Sequence, residues 1–215
     1  MVSGPSGPGA IFMGRKIMLL RDDYLHISTK PVISDMDLIE LIGFYEKYLC
    51  NRLFEYKTDN EEYPIINLRF EPNNLCHLLG FQHIFKGMAD NKGYVGQRGY
   101  EKIENLEITM DTFKEKNLKR LFKSNKNRLL YFPFIYQIVH NPTAIFFSNN
   151  LLNTRIESEF MFYDKLDSRY LHLAVDSGKS SPYYFPKTFV DKKNDVFVKN
   201  QVKLNIVSIR EILDE

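Results

Sequence analysis

Tyr170-Leu-His-Leu-Ala-Val-Asp-Ser-Gly-Lys-Ser-Ser-Pro-Tyr-Tyr-Phe-Pro-Lys-Thr-Phe-Val190 is the stretch on which the fold class turns. Two runs rich in β-branched and aromatic residues flank a Ser-, Gly- and Pro-rich break, which reads as a hairpin. Working backward, Glu159–Tyr163 and Ala144–Phe147 are strand-like runs separated by Asn- and Ser-rich turns; working forward, Asp191–Asp195 is a turn and Val196–Val198 a further short strand. Spacings of roughly 10 to 15 residues between strand centres fit an antiparallel meander.

The front of the chain has a different period. Leu38, Leu41, Ile42, Tyr45, Leu49 and Leu53 fall on one helical stripe, with Ser34 as N-cap and Asp37 three residues on. After a polar loop (57–62), Tyr63–Phe70 alternates as a strand, with Ile66, Leu68 and Phe70 on one side and Ile65, Asn67 and Arg69 on the other. A short helix capped by Asn73 or Asn74 should follow and end at Gly80, then a Gly-rich mobile loop through Gly99. Further helices are expected over Met110–Phe122 and Arg128–His140, with Pro133 in the first turn of the latter or kinking it, unless that segment is a strand. The whole predicts an α+β fold, with N-terminal helices (about 34–140) packed on a C-terminal, mostly antiparallel sheet (about 143–207). Residues 13–215 are read as a single domain. Residues 1–12 are read as a flexible Gly/Pro/Ser leader or a remnant of expression cloning.

At 215 residues, 44% hydrophobic and 26% charged, the chain has material for a core and is not of disordered composition. A net charge of +2 decides nothing about nucleic acid, so any such case must come from local charge. Two cysteines build neither a disulfide framework nor a zinc site, which makes a reducing, cytoplasmic setting the default. No apolar run reaches the roughly 20 residues of a membrane span. P-loop, Rossmann, nucleophile-elbow and zincin motifs are all missing. His77 and His83, six apart, do not share a helix face, and neither a metal nor a cofactor is expected.

Four features could carry chemistry. His77 places an imidazole directly after a strand that projects Arg69, although spacing alone favours a core histidine bonded to a backbone carbonyl. Lys187 lies among aromatics on one face of the late strand with Tyr183, while Tyr184, Pro186 and Thr188 take the other; this pattern suits a phosphate beside stacked bases, or equally a solvated lysine. His172 alternates with apolar neighbours on the preceding strand. The stretch 114–128 is basic, with Lys119 and Arg120 at its centre, and reads as a phosphate-contacting surface or a solvated helix face.

The order of these features resembles a phage-associated branch of the ribonuclease superfamily that joins barnase, EndoU, colicin nucleases and RelE. The resemblance rests on His77-Leu-Leu-Gly80 after an early strand and Phe185-Pro-Lys-Thr-Phe189 on a late one, and spans about Asp35 to Val207. It implies a metal-independent endoribonuclease, a prophage- or toxin-associated effector in which the ribose 2′-OH attacks the adjacent phosphate. His77 would be general acid/base, Lys187 would stabilise the phosphate, and Thr188 would orient phosphate or 2′-OH, with Arg69 beside them. Tyr183 and Tyr184 would stack bases, His172 would be the reserve imidazole, and Lys119 and Arg120 would hold RNA. Lys187 and Thr188 can serve one site only if their strand is twisted or bulged near Pro186. RNA is the expected partner; whether an inhibitor or antitoxin protein exists is left open. A non-catalytic nucleic-acid- or protein-binding module, or an enzyme acting on a nucleotide, would use the same sheet face.

Overall fold

The computed structural model describes residues 18–150, 152–166, 168–178 and 181–213. The leader expected over residues 1–12 lies outside them. Asp37 opens α1 (Leu38–Tyr48), its carboxylate accepting from the amides of Ile39 and Glu40 at 2.8 and 3.2 Å. The N-cap is therefore Asp37 and not Ser34, which sits in a 3-10 turn over Ile33–Asp35. The helical stripe holds to Leu49. Asn51 then takes a left-handed conformation (φ 56°), and the chain runs on as β1 (Arg52–Thr58), so Leu53 belongs to a strand.

β1 pairs antiparallel with β2 (Ile65–Arg69), whose Ile66 and Leu68 are buried as the alternation requires. β2 leads into α2 (Pro72–Leu78), with Pro72 in the first turn, where its missing N–H costs nothing. Asn74 does not cap the helix itself; its Oδ1 accepts from the Glu71 amide at 2.8 Å. α3 (Phe81–Ile84) follows. The stretch expected as a mobile Gly-rich loop instead contains α4 (Gly96–Glu104). Gly99 is there for close approach: a Cβ would stand 2.6 Å from the Tyr94 backbone and 2.9 Å from the Cys76 sulfur.

The helix expected over Met110–Phe122 begins later. Only a 3-10 turn (Thr112–Lys114) precedes α5 (Lys119–Tyr131), and Pro133 lies in a 3-10 turn between α5 and α6 (Ile135–His140). Four strands then form the expected meander: β3 (Thr143–Phe146), β4 (Phe160–Leu166), β5 (Arg169–Ser177) and β6 (Tyr184–Lys192), each antiparallel to the last. Val196–Val198 is a turn, with Phe197 buried; β7 (Val202–Leu204) and β8 (Ile206–Leu213) come after it.

The fold is α+β, with one eight-stranded, mostly antiparallel sheet in the order β7-β3-β4-β5-β6-β2-β1-β8. The helical half thus contributes two strands to the sheet. Alternation divides the apolar residues between two cores. Phe160, Phe162, Leu171, Leu173 and Phe189 join the helices in the main core, while Met161, Ala174 and Val190 cluster with Phe147 and Phe197 on the opposite face. Each fully buried Leu or Phe adds about 2 kcal/mol from apolar transfer.

One junction positions the site. β6 pairs in parallel with β2 at a single position, Leu68 with Tyr184. Beyond it β2 has turned into α2, so α2 and α5 lie alongside β6 in place of a strand. Pro186 stands where this edge of β6 needs no N–H. The β5–β6 register slips between Ala174 and Val175, leaving Lys187 as the extra residue of a β-bulge.

Candidate active site

The bulge, the end of α2, α3, the C-terminal half of α5 and the loop before β4 line a cleft of about 280 Å³ with His77, Gln82, His83, Arg128, Glu157, Lys187 and Thr188, among others. Thr188 pairs across from Ala174 and Pro186 from Val175, so the intervening Lys187 escapes strict alternation. Lys187 and Thr188, neighbours that a regular strand would send to opposite faces, therefore line the same cleft.

Gly80 links the two histidines. Its left-handed backbone (φ 81°) separates α2 from α3, so His77 and His83 leave two different short helices toward one space. Gly80 is also required by packing: a Cβ there would lie 2.7 Å from Cδ of Arg128. Arg128 thus crosses Gly80 and donates from Nη1 to Oγ1 of Thr188 at 3.1 Å. One residue earlier, Asn127 donates to Asp191 at 3.1 Å, so α5 is pinned to β6 at two successive positions. Lys187 gives one of its N–H groups to Asp176 on the neighbouring β5 at 2.5 Å.

The electrostatics follow from this crowding. Desolvation by the cleft walls, then the positive charges of Arg128 and Lys187, hold the His77 imidazole below its ordinary 6.5, although the residue is exposed at the lip. Desolvation, then Arg128, His77 and Lys86, do the same for His83. Both rings are neutral near pH 7 and can accept a proton. Glu157 is the carboxylate among the lining residues, against the cations Arg128, Arg155 and Lys187. Such a donor set suits a polyanion better than a divalent cation. Among the described residues no three His, Cys, Asp or Glu side chains gather as a metal would need.

His77, Lys187 and Thr188 are brought together; the other expected residues are not. Arg69 lies in a neighbouring groove with Asn73, Asn74, Tyr183, Tyr184 and Phe185, its guanidinium 5.3 Å from the centre of the Tyr183 ring. The reason is the departure of β2 from β6 just before the bulge. His172 is fully buried, with Phe197, Tyr163 and Tyr170 around its ring at 5.3, 6.2 and 6.3 Å, so it cannot stand in for His77. Lys119 and Arg120 are exposed at the start of α5, eight or more residues and about 12 Å of helix from Arg128. Arg128 and His83 also line the cleft, although the sequence reading assigns neither of them to it. The one signal that could have found them is Gly80, a glycine that needs both a left-handed turn and a close neighbour.

Larger hollows exist, of about 630 Å³ beside Met36 and Met110 and about 600 Å³ beside Leu152 and Val196, but neither gathers imidazoles with cations. Among the described residues no helix is long and apolar enough to cross a membrane. Compared with curated proteins and with solved structures, the chain finds no match. A family model does match it, over residues 37–211, a span that takes in every residue lining the cleft. By that match the chain belongs to the family described as phage-Barnase-EndoU-ColicinE5/D-RelE like nuclease4.

Proposed function

We propose that this nuclease cuts RNA without a metal, by attack of a ribose 2′-oxygen on the adjacent phosphorus. The observation that carries the reading is the meeting of His77, from the front of the chain, with Lys187 and Thr188, from its last third, in one cleft beside Arg128 and His83. A neutral His77 takes the 2′-OH proton, the oxygen bonds to phosphorus, and the bond to the 5′-oxygen breaks. That oxygen leaves with a proton from His83, which acts as the acid after protonation. Charge building on the non-bridging oxygens is met by the N–H groups of Lys187 not given to Asp176 and by the Arg128 guanidinium. Thr188, its oxygen already accepting from Arg128, has its hydroxyl proton left to donate to phosphate.

The test is cleavage of single-stranded RNA in excess EDTA, with the ends of the products identified. A 2′,3′-cyclic phosphate on one product and an inert all-deoxy strand are expected. Cleavage that stops in EDTA, or proceeds equally on DNA, overturns the reading. Because both imidazoles sit below 6.5, kcat/KM should be bell-shaped in pH, with its maximum on the acid side of 6.5.

A further inference from the structure

Next to the cleft, between the front half of α2 and the start of β6, lies a groove of about 240 Å³ lined by Arg69, Glu71, Asn73, Tyr183 and Phe185, among others. We infer that this groove holds the nucleobase beside the scissile phosphate and makes cleavage depend on which base that is. The inference rests on the RNA-cleaving reading above and goes beyond it to a specificity site.

Spacing is the first argument. Along α2, Asn73 and His77 are one helical turn apart, about 6 Å. Along β6, Phe185 and Lys187 are two residues apart, about 6.6 Å. Groove and cleft are therefore consecutive stations on the same two elements, in the same order on each, separated by about one nucleotide.

Chemistry is the second. Single-stranded bases are read by stacking on aromatic or guanidinium planes and by hydrogen bonds to their edges. Tyr183 is half-exposed and carries the Arg69 guanidinium over its ring, which fixes the ring's position. Tyr184, by contrast, is tied down: its ring packs 5.3 Å from Phe160 and its hydroxyl donates to Glu159 at 3.4 Å. Asn73 donates to the Glu71 carboxylate at 3.3 Å, which orients an amide whose oxygen can accept from a base edge. The Glu71 carboxylate is a second acceptor, while Arg69 and the Asn74 amide nitrogen are donors. Donors and acceptors held at fixed places beside a stacking surface discriminate among bases, whereas a surface of lysines alone would not. Arg69 is thereby a specificity residue and not a partner of His77.

The test uses strands carrying one ribonucleotide in an otherwise deoxy chain, with the base varied on the ribonucleotide and then on the nucleotide after it. At one of these two positions kcat/KM should vary by tenfold or more among the four bases. Asn73→Ala and Tyr183→Ala should each flatten that spread to within about threefold. A wild-type spread under threefold at both positions, or one that survives both substitutions, overturns the inference. If no strand is cut at all, the nucleolytic reading fails separately. Binding of the same strands to the His77→Ala protein then decides this one: affinity independent of the base overturns it, and a base preference lost in Tyr183→Ala upholds it.

Discussion

On one side of β6 an imidazole stands at the lip of a cleft among cations; across the strand pair another is sealed among aromatic rings. His77 is exposed, faces Arg128 and Lys187, and is held below 6.5 by partial desolvation and like charge. His172, paired with Val190 in the β5–β6 ladder, has no exposed surface, and burial pushes it down to about 4, with Lys192 adding to the effect and the backbone of Val190 and Tyr170 opposing it. Neither ring nitrogen of His172 has a partner at hydrogen-bond geometry. A lowered imidazole pKa points to catalysis only where a substrate can reach the ring and charges of the right sign surround it, and of these two rings His77 alone meets both conditions.

The comparison breaks most sharply by deletion. His77→Ala and Lys187→Ala should each lower kcat/KM on RNA by about 10³, within the range expected for acid–base and electrostatic groups. His172→Phe should leave kcat/KM within about threefold of wild type. Equal losses at His77 and His172, measured on protein shown to be folded, would erase the distinction.

Acid titration sharpens it from the other side. The unfolded chain binds a proton at His172 below about 6.5, whereas the folded chain resists until about 4. Stability is lost wherever the unfolded state binds more protons, so this group removes about 3 kcal/mol as pH falls from 6.5 to 4. Urea unfolding across that window should show the loss in wild type and less of it in His172→Phe. At pH 7, where the folded ring is neutral, His172→Phe should stay within about 1.5 kcal/mol of wild type, since a ring of similar shape still fills the space among Tyr163, Tyr170 and Phe197.

What was legible in the sequence follows the same local-versus-distant divide. Period alone located most of α1, β2 and the β3–β6 meander, because their apolar residues face cores directly. It failed at β1, where Leu53 prolongs the helical stripe past Asn51, and a left-handed Asn leaves no mark on periodicity. It failed at α4, whose glycines suggest a loop but permit close packing on Cys76. The exposed, edge-forming β8 offers only weak alternation. Of the residues lining the cleft, His77, Lys187 and Thr188 are legible in the order of two short motifs. His83, six residues from His77, would not share a face with it on one helix; the turn at Gly80 makes two helices of the segment. Arg69 stands close before His77 in sequence, but β2 leaves β6 before the cleft begins, so Arg69 lines the neighbouring groove.

Gly80 and Gly96 offer a matched pair, both with positive φ (81° and 58°). Gly96→Ala meets nothing within 4 Å and should cost only backbone strain, about 1–2 kcal/mol, with activity unchanged. Gly80→Ala carries the same strain and also drives a methyl against Arg128. Moving Arg128 breaks its bond to Thr188, so kcat should fall about tenfold beyond any loss of folded protein. Parallel thermal melts and single-turnover rates separate the two effects; an equal kcat for both variants would show that Arg128 does not work through this contact.

The smallest effect belongs to Asp176, which the cleft reaches only through Lys187. Its carboxylate holds the Lys187 ammonium at 2.5 Å with both side chains partly exposed, so the pair itself adds little to stability. Its consequence is for the reaction, in two opposing directions. Asp176→Asn removes a negative charge beside the phosphate site, so KM should fall about threefold, and the log–log dependence of binding on salt should steepen by up to about 0.7, the contribution of one more effective phosphate contact on a single strand. The ammonium also loses its anchor, so kcat should fall by about three- to tenfold, because a donor that must be oriented at the moment of reaction stabilises the transition state less. A lower KM together with a lower kcat identifies Asp176 as a positioning residue. If both constants are unchanged, Lys187 is held by the bulge alone, and the cleft's orientation comes from the backbone slip between Ala174 and Val175.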